Sequence, residues 1–267
     1  MVGRVVFTDL DGTLLDEISY EYAPAQAALD ALKRRLVPLV LCSSKTRAEM
    51  DVLHRALGLN APYVVENGGA IVIPAPRGPK TRVLGAHRAR LVTALQQIAR
   101  EVGVELRGFG SLSLGEMVRL TGLSAAQAAL ALRREYDEPF VMAQADAEDA
   151  VSAAALRRGL RVSRGGRFHH LTGGAGKGRA VREVLGRCFP GVVHTVALGD
   201  AANDLDMLQA VERPVILPRH DGRLEVELTC SLPDAEVAPA PGPSGWNQAV
   251  LTILGGGRLS RVAEVVS

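Results

Sequence analysis

Hydrophobic positions along this chain follow two periods. Short, mostly apolar runs recur at Val2–Phe7, Val37–Cys42 and Val192–Leu198, and runs of that length predict strands buried on both faces, as in a parallel sheet. Between the first two, Ala25–Arg34 is alanine-rich with apolar residues at helical spacing, which predicts a helix. Strand, helix and strand in roughly forty residues predict a βαβ unit.

The alternation continues with a helix over 46–57, a strand at Tyr63–Val65, and a turn at Glu66-Asn67-Gly68-Gly69 feeding an extended segment to Ile73. Three prolines and a glycine from Pro74 to Lys80 suit a connection between domains, and a boundary is expected there. From 81 to 171 the pattern changes to helices around 88–102, 124–135 and 146–158, separated by strand-like pieces such as Phe140–Met142. Alternation resumes with a helix near 177–188, the strand ending at Gly199 and a helix from about Asp204 to Val211. The tail 231–245 reads as loop and Trp246–Leu254 as a final helix. These elements predict an α/β fold: a Rossmann-like, mostly parallel sheet core made of residues 1–80 and 172–267, split by an α+β domain inserted over 81–171.

Composition narrows the function. With 267 residues, 47% of them hydrophobic, the chain can bury one large core or two smaller ones without disulfides. Lys plus Arg total 31 against 29 for Asp plus Glu, a net of +2, too weak a field to favour nucleic acid or a membrane surface as partner. Cys42, Cys188 and Cys230 lie far apart with no C-x-x-C pair, so neither a disulfide framework nor a cysteine zinc site is indicated, and the cytoplasm is the expected compartment. Met1–Phe7 runs straight into acidic residues without a signal-peptide pattern, and no apolar run reaches membrane-spanning length. A homodimer is compatible with the sequence but not specified by it.

The candidate chemistry starts at Asp9-Leu10-Asp11-Gly12-Thr13, two carboxylates two residues apart at the C-terminal end of a buried strand, the end that faces the ligand crevice in open α/β sheets. A carboxylate there can attack phosphorus if a divalent cation offsets the charge repulsion, while the second shuttles the leaving group's proton. The plain alternative is an acidic turn closing a strand. Gly199-Asp200-Ala201-Ala202-Asn203-Asp204 follows another apolar strand, and Asp200 and Asp204 can join Asp9 around one hard cation such as magnesium, which takes oxygen ligands. Helix capping by Asn203 or Asp204 is the alternative.

Ser43, Ser44, Lys45, Thr46 and Arg47 place hydroxyls, helix-start amides and two cations after the second strand, a set suited to an oxyanion. Lys177 follows flexible glycines at a helix start and can bring an ammonium to phosphate, although a solvent-facing lysine is the commoner outcome. The segment is not a P-loop, because Leu171 and Gly178 stand where that motif requires Gly and Ser or Thr. Arg167, Phe168, His169 and His170 are read equally as substrate contacts or as structural residues, and the adjacent histidines lack the spacing of a helical metal pair.

In this order, Asp9-Leu10-Asp11-Gly12-Thr13-Leu14, Ser43, Lys177 and Gly199-Asp200 to Asp204 closely resemble the haloacid dehalogenase superfamily of phosphatases. The insertion between Ser43 and Lys177 resembles the cap of the Cof-type branch. Within it, Leu41 to Glu49, Glu66 to Ile71 and Arg167-Phe168-His169 are most similar to mannosyl-3-phosphoglycerate phosphatases, with Ser44-Lys45 in place of a more usual Gly-Arg. The resemblance implies catalytic residues Asp9, Asp11, Ser43 and Lys177, with Asp9 forming an aspartyl-phosphate and Asp11 acting as acid, then base. It implies Mg²⁺ bound by Asp9, the Asp11 carbonyl and Asp200, with Asp204 supporting the metal shell or orienting Lys177. Substrate contacts are expected from Ser44, Lys45, Arg47, Asn67, Gly68, Arg167 and His169.

The implied reaction is hydrolysis of a phosphorylated glycoside, mannosyl-3-phosphoglycerate, to mannosylglycerate and phosphate. Related esters remain as alternatives: glucosyl-3-phosphoglycerate, sucrose phosphate, trehalose phosphate or a hexose phosphate. A phosphomutase has no feature in its favour. A noncatalytic sugar-phosphate-binding module on the same fold is the reading from another class, and it predicts damage to a catalytic set that is here intact.

Overall fold

The computed structural model describes residues 3–165, 168–174 and 176–265. In chain order the strands are β1 (Arg4–Thr8), β2 (Leu39–Leu41), β3 (Tyr63–Val65), β4 (Ala70–Ile73), β5 (Lys80–Val83), β6 (Leu106–Gly108), β7 (Asp137–Met142), β8 (Arg161–Gly165), β9 (Phe168–Thr172), β10 (His194–Gly199), β11 (Arg213–Ile216) and β12 (Glu236–Val237). The helices are α1 (Gln26–Arg34), α2 (Arg47–Ala56), α3 (Arg88–Val102), α4 (Leu114–Thr121), α5 (Ala125–Ala131), α6 (Glu148–Leu156), α7 (Lys177–Cys188), α8 (Leu205–Leu208), α9 (Val226–Ser231), α10 (Gly242–Leu254) and α11 (Val262–Val265). They form two compact units, one of residues 1–43, 60–63 and 177–267, the other of residues 44–59 and 64–176. The insert expected at 81–171 lies within the second unit, which also takes in α2 and the β4–β5 hairpin.

The first unit is built on a five-stranded sheet in the order β12-β11-β10-β1-β2, parallel throughout. As the apolar runs predict, β1 is buried from Val5 to Thr8 and β2 along its length. The chain leaves β1 toward β2 on one side and returns as β10 on the other, so the carboxyl end of β1 is a topological switch point where a crevice opens. Register sets Thr8 opposite both Leu198 and Leu41, which brings the residues after those three strands side by side.

In the second unit, β6-β7-β9-β8 form an antiparallel sheet. Leu91, Leu95 and Ile98 of α3 and Val151, Ala154 and Ala155 of α6 bury their apolar faces against Phe140 and Leu171 of that sheet. A smaller core gathers Phe109, Leu112, Met117, Ala128 and Ala131 around α4 and α5.

Several boundaries differ from the sequence expectation. The proline-rich stretch after Ile73 turns β4 back onto β5. The helix expected over 124–135 ends at Ala131, and Arg134 to Tyr136 lead into β7. Helix α4, capped by Ser113 with Glu116, was not anticipated. The tail expected as loop contains β12, and α10 begins at Gly242, ahead of Trp246.

Candidate active site

Strand register assembles one group of side chains in the first unit. The β1 ladder runs on past its last residue, with the Asp9 N–H donating to Leu198 O at 2.9 Å and the Cys42 N–H to Thr8 O at 2.8 Å. Asp9 is thereby fixed between Asp200 and Ser43, all three nearly fully buried. Trp246, fully buried in α10, donates through Nε1 to Thr8 Oγ1 at 3.0 Å, and that hydroxyl donates to Asp9 O at 2.7 Å.

Lys177 opens α7, and its ammonium, 1% exposed, donates to Asp9 Oδ1 at 2.5 Å and Asp204 Oδ1 at 2.6 Å. The other Asp204 oxygen accepts the N–H groups of Asp200 and Ala201 at 3.1 and 3.2 Å. Both Asp204 oxygens are thus engaged, one of them in orienting Lys177. Asp200 Oδ1 accepts from Thr13 Oγ1 at 2.6 Å. Gly12 sits at φ +82°, where an added Cβ would lie 2.6 Å from Asp200 Oδ2. Asp11, half-buried, bridges to Leu15 in the same turn.

Among the described residues, one oxygen from each of Asp9, Asp200 and Asp204 lies within 4.8 Å of the others. Burial, followed by repulsion from Asp204, pushes the Asp9 carboxyl up to about 7. Burial and the neighbouring Asp9 raise Asp200 well above its ordinary value. Burial opposes the charge of Lys177, but Asp204 and Asp9 outweigh it and hold the ammonium charged far above neutrality. Fully ionised, the three buried carboxyl groups would carry two negative charges beyond the single ammonium, which is why burial and mutual repulsion hold protons on Asp9 and Asp200. A hard divalent cation offsets that excess with the oxygen ligands it prefers, so the residues fit such an ion.

The remaining expected residues fall in the second unit, apart from Arg167, which lies outside the described residues. Ser44 and Lys45 are half-buried in the loop before α2. Arg47 donates to Thr81 Oγ1 at 3.0 Å and lies 3.7 Å from Asp51, at the edge of a cavity of about 360 Å³ that Arg55 and Arg133 also line. Asn67 is buried and donates to Asp137 Oδ2 at 3.0 Å, and Gly68 is buried beside it. His169 stacks on Phe140 with centroids 5.4 Å apart, its Nε2 3.5 Å from Glu148.

Two relatives decide the family. Glucosyl-3-phosphoglycerate/mannosyl-3-phosphoglycerate phosphatase of Methanococcoides burtonii is 38% identical, the match covering 94% of this chain and 97% of the relative. The protein of the same name from Persephonella marina is 35% identical over the same shares. Residues 6–100 match the model of the haloacid dehalogenase-like hydrolases. The chain belongs to that family.

A solved phosphatase of the haloalkanoate enzyme superfamily from Bacteroides thetaiotaomicron shares the fold, with a TM-score of 0.72 at 17% identity over 94% of this chain and 95% of that one. Of the residues expected at the site, the structure brings Asp9, Lys177, Asp200 and Asp204 together, with Ser43 buried after β2 and Asp11 half-buried in the turn after β1. The contacts of Thr13 with Asp200, of Trp246 with Thr8 and of Asp137 with Asn67 were not foreseen. Thr13 stands inside the first motif and was within reach of motif reading. The others act through backbone groups or across long sequence separations that no local pattern reveals.

Proposed function

We propose that this hydrolase removes phosphate from mannosyl-3-phosphoglycerate, releasing mannosylglycerate, with Mg²⁺ as cofactor and a phosphoryl group held transiently on Asp9. The observation that carries the reading is the buried Asp9–Lys177–Asp204 arrangement beside Asp200, in a chain whose relatives bear that substrate in their names. Those names support glucosyl-3-phosphoglycerate as a second substrate.

In the proposed reaction an Asp9 carboxylate oxygen attacks phosphorus as the ester P–O bond breaks. Asp11 gives its proton to the departing glycerate oxygen. Asp11, now ionised, takes a proton from water as that water attacks the phosphorus of the aspartyl-phosphate, returning Asp9 and releasing phosphate. Lys177, kept charged by Asp9 and Asp204, and Ser43 hold the phosphoryl oxygens. Asp9, the Asp11 carbonyl and Asp200 would hold Mg²⁺, whose contribution is to offset negative charge on the phosphoryl group and the carboxylates.

Selectivity we assign to the second unit, acting as the cap of residues 81–171 together with Ser44, Lys45, Arg47, Asn67, Gly68, Arg167 and His169. Among the described residues no helix is long and apolar enough to cross a membrane. The proposed compartment is the cytoplasm, a setting in which three free cysteines are the ordinary state.

Phosphate release from mannosyl-3-phosphoglycerate, glucosyl-3-phosphoglycerate, sucrose phosphate, trehalose phosphate and hexose phosphates tests this, with Asp9→Asn as control. The expected result is at least a tenfold preference in kcat/KM for the glycosyl phosphoglycerates, about 1.4 kcal/mol in transition-state binding. Preference for another ester removes the substrate, and full activity in Asp9→Asn removes the mechanism.

A further inference from the structure

The second unit contains a closed circuit of buried charges that the proposed chemistry does not use. Glu66 is fully buried, and its carboxylate accepts the N–H groups of Glu135, Tyr136 and Asp137 at 2.7–3.0 Å. Its own N–H donates to Lys45 O at 3.0 Å. Asp137, also fully buried, takes three donors on Oδ2: Asn67 at 3.0 Å, Arg134 at 3.3 Å and the His170 Nδ1 contact at 2.7 Å. The same Arg134 Nη1 donates to Ser44 O at 2.9 Å, and Thr46 Oγ1 donates to Leu130 O at 3.0 Å. Three consecutive residues, 44 to 46, are therefore each tied to residue 66 or to the 130–137 segment.

A core that only needed stability would gain as much from apolar residues, because buried charges lose hydration that their pairing roughly offsets. Here Glu66 and Asp137 are paired in a way that aims an arginine and an N–H at two successive carbonyls. Glu66 and Asn67 hold φ of +49° and +54°, a left-handed pair that costs energy in residues other than glycine and persists where surroundings over-determine it. The segment so fixed begins one residue after Ser43.

We infer that Arg134, held by Asp137 in a segment whose following N–H groups Glu66 binds, is a positioning residue that sets the Ser44–Lys45 backbone and so the recognition of the substrate beyond its phosphoryl group. The inference rests on the phosphatase reading above. Its chemistry is selectivity for the glycoside and glycerate portion, while Ser43, which belongs to the first unit, is left to the phosphoryl group.

The test compares kcat/KM for mannosyl-3-phosphoglycerate and for p-nitrophenyl phosphate in wild type, Arg134→Met, Arg134→Lys and Glu66→Gln, alongside amide hydrogen exchange of the peptides spanning 43–50 and 62–70. Expected is a fall of tenfold or more in the ratio of the two kcat/KM values for Arg134→Met, carried by KM of the glycosyl ester. Arg134→Lys should fall between it and wild type, and exchange should quicken in both peptides. An unchanged ratio with unchanged exchange overturns the inference, as does an equal loss on both substrates. If Arg134→Met does not fold, Arg134→Lys and Glu66→Gln give the same two readouts. Wild type that hydrolyses p-nitrophenyl phosphate but not the glycosyl ester removes the substrate reading, and the exchange measurement then decides the positioning by itself.

Discussion

Gly12 shows how narrowly the site is built. Its φ of +82° is one that side chains rarely adopt, and a Cβ there would strike the Asp200 carboxylate. Gly12→Ala is therefore expected to displace Asp200 and lower phosphate release by about a hundredfold, the usual consequence of an ångström-scale misplacement, measured as kcat with Mg²⁺. Gly186, with open space at its Cβ and a place inside α7, is the matched control. Gly186→Ala should leave kcat unchanged and raise stability by up to about 1 kcal/mol. At this scale the sequence is most readable where a short motif joins chemistry to a strand end: Asp9, Asp11 and Asp200 are visible because β1 and β10 are visible. Glu66 is not, because its partners are backbone N–H groups seventy positions away, which leave no mark on residue type.

Element by element, hydrophobic period located the parallel strands and the long helices, whose faces are wide enough to register. It failed where two structures share one composition. The prolines after Ile73 suit a hairpin loop as well as a linker, and the charged run at Arg134 to Glu138 continues the helical pattern of α5 although Asp137 and Glu138 belong to β7. Ser113 with Glu116 is a capping box legible from residue type and spacing alone. Helix α10 bears on the site through Trp246, whose indole N–H holds Thr8 at the end of β1. Trp246→Phe keeps most of the buried ring but loses that bond and some packing. Its expected cost is about 1–3 kcal/mol, seen as a lower urea midpoint. Because Lys177 and Asp204 do not depend on the indole, kcat should stay within about tenfold of wild type, equivalent to 1.4 kcal/mol; a larger loss at full folding would give Trp246 a direct role in aligning Asp9.

For the whole molecule, the crowding of carboxylates makes folding, proton uptake and metal binding one linked equilibrium. Asp9 is pushed up to about 7 and Asp200 well above its ordinary value, both chiefly by burial, and Glu66 in the second unit is likewise pushed up to about 7. A carboxyl whose folded value exceeds its unfolded one binds more protons when folded, so its contribution is full below about pH 4 and is lost as pH rises through about 7. Metal-free protein is thus expected to melt at a higher temperature at pH 6 than at pH 8. Mg²⁺ must displace the protons it competes with, so its stabilisation should run the other way, larger at pH 8. Its apparent affinity should fall roughly tenfold per pH unit below about 7 for each proton released. Melting scans across pH with chelator and with Mg²⁺ separate the contributions: Glu66→Gln removes the part that Mg²⁺ leaves untouched, and Asp200→Asn removes the Asp200 share of the part that it reverses. Metal stabilisation that is independent of pH, or a metal-free protein that gains stability from pH 6 to 8, would mean that the carboxylates around Lys177 are ionised without help, and the charge argument for a divalent cation at this site would be lost.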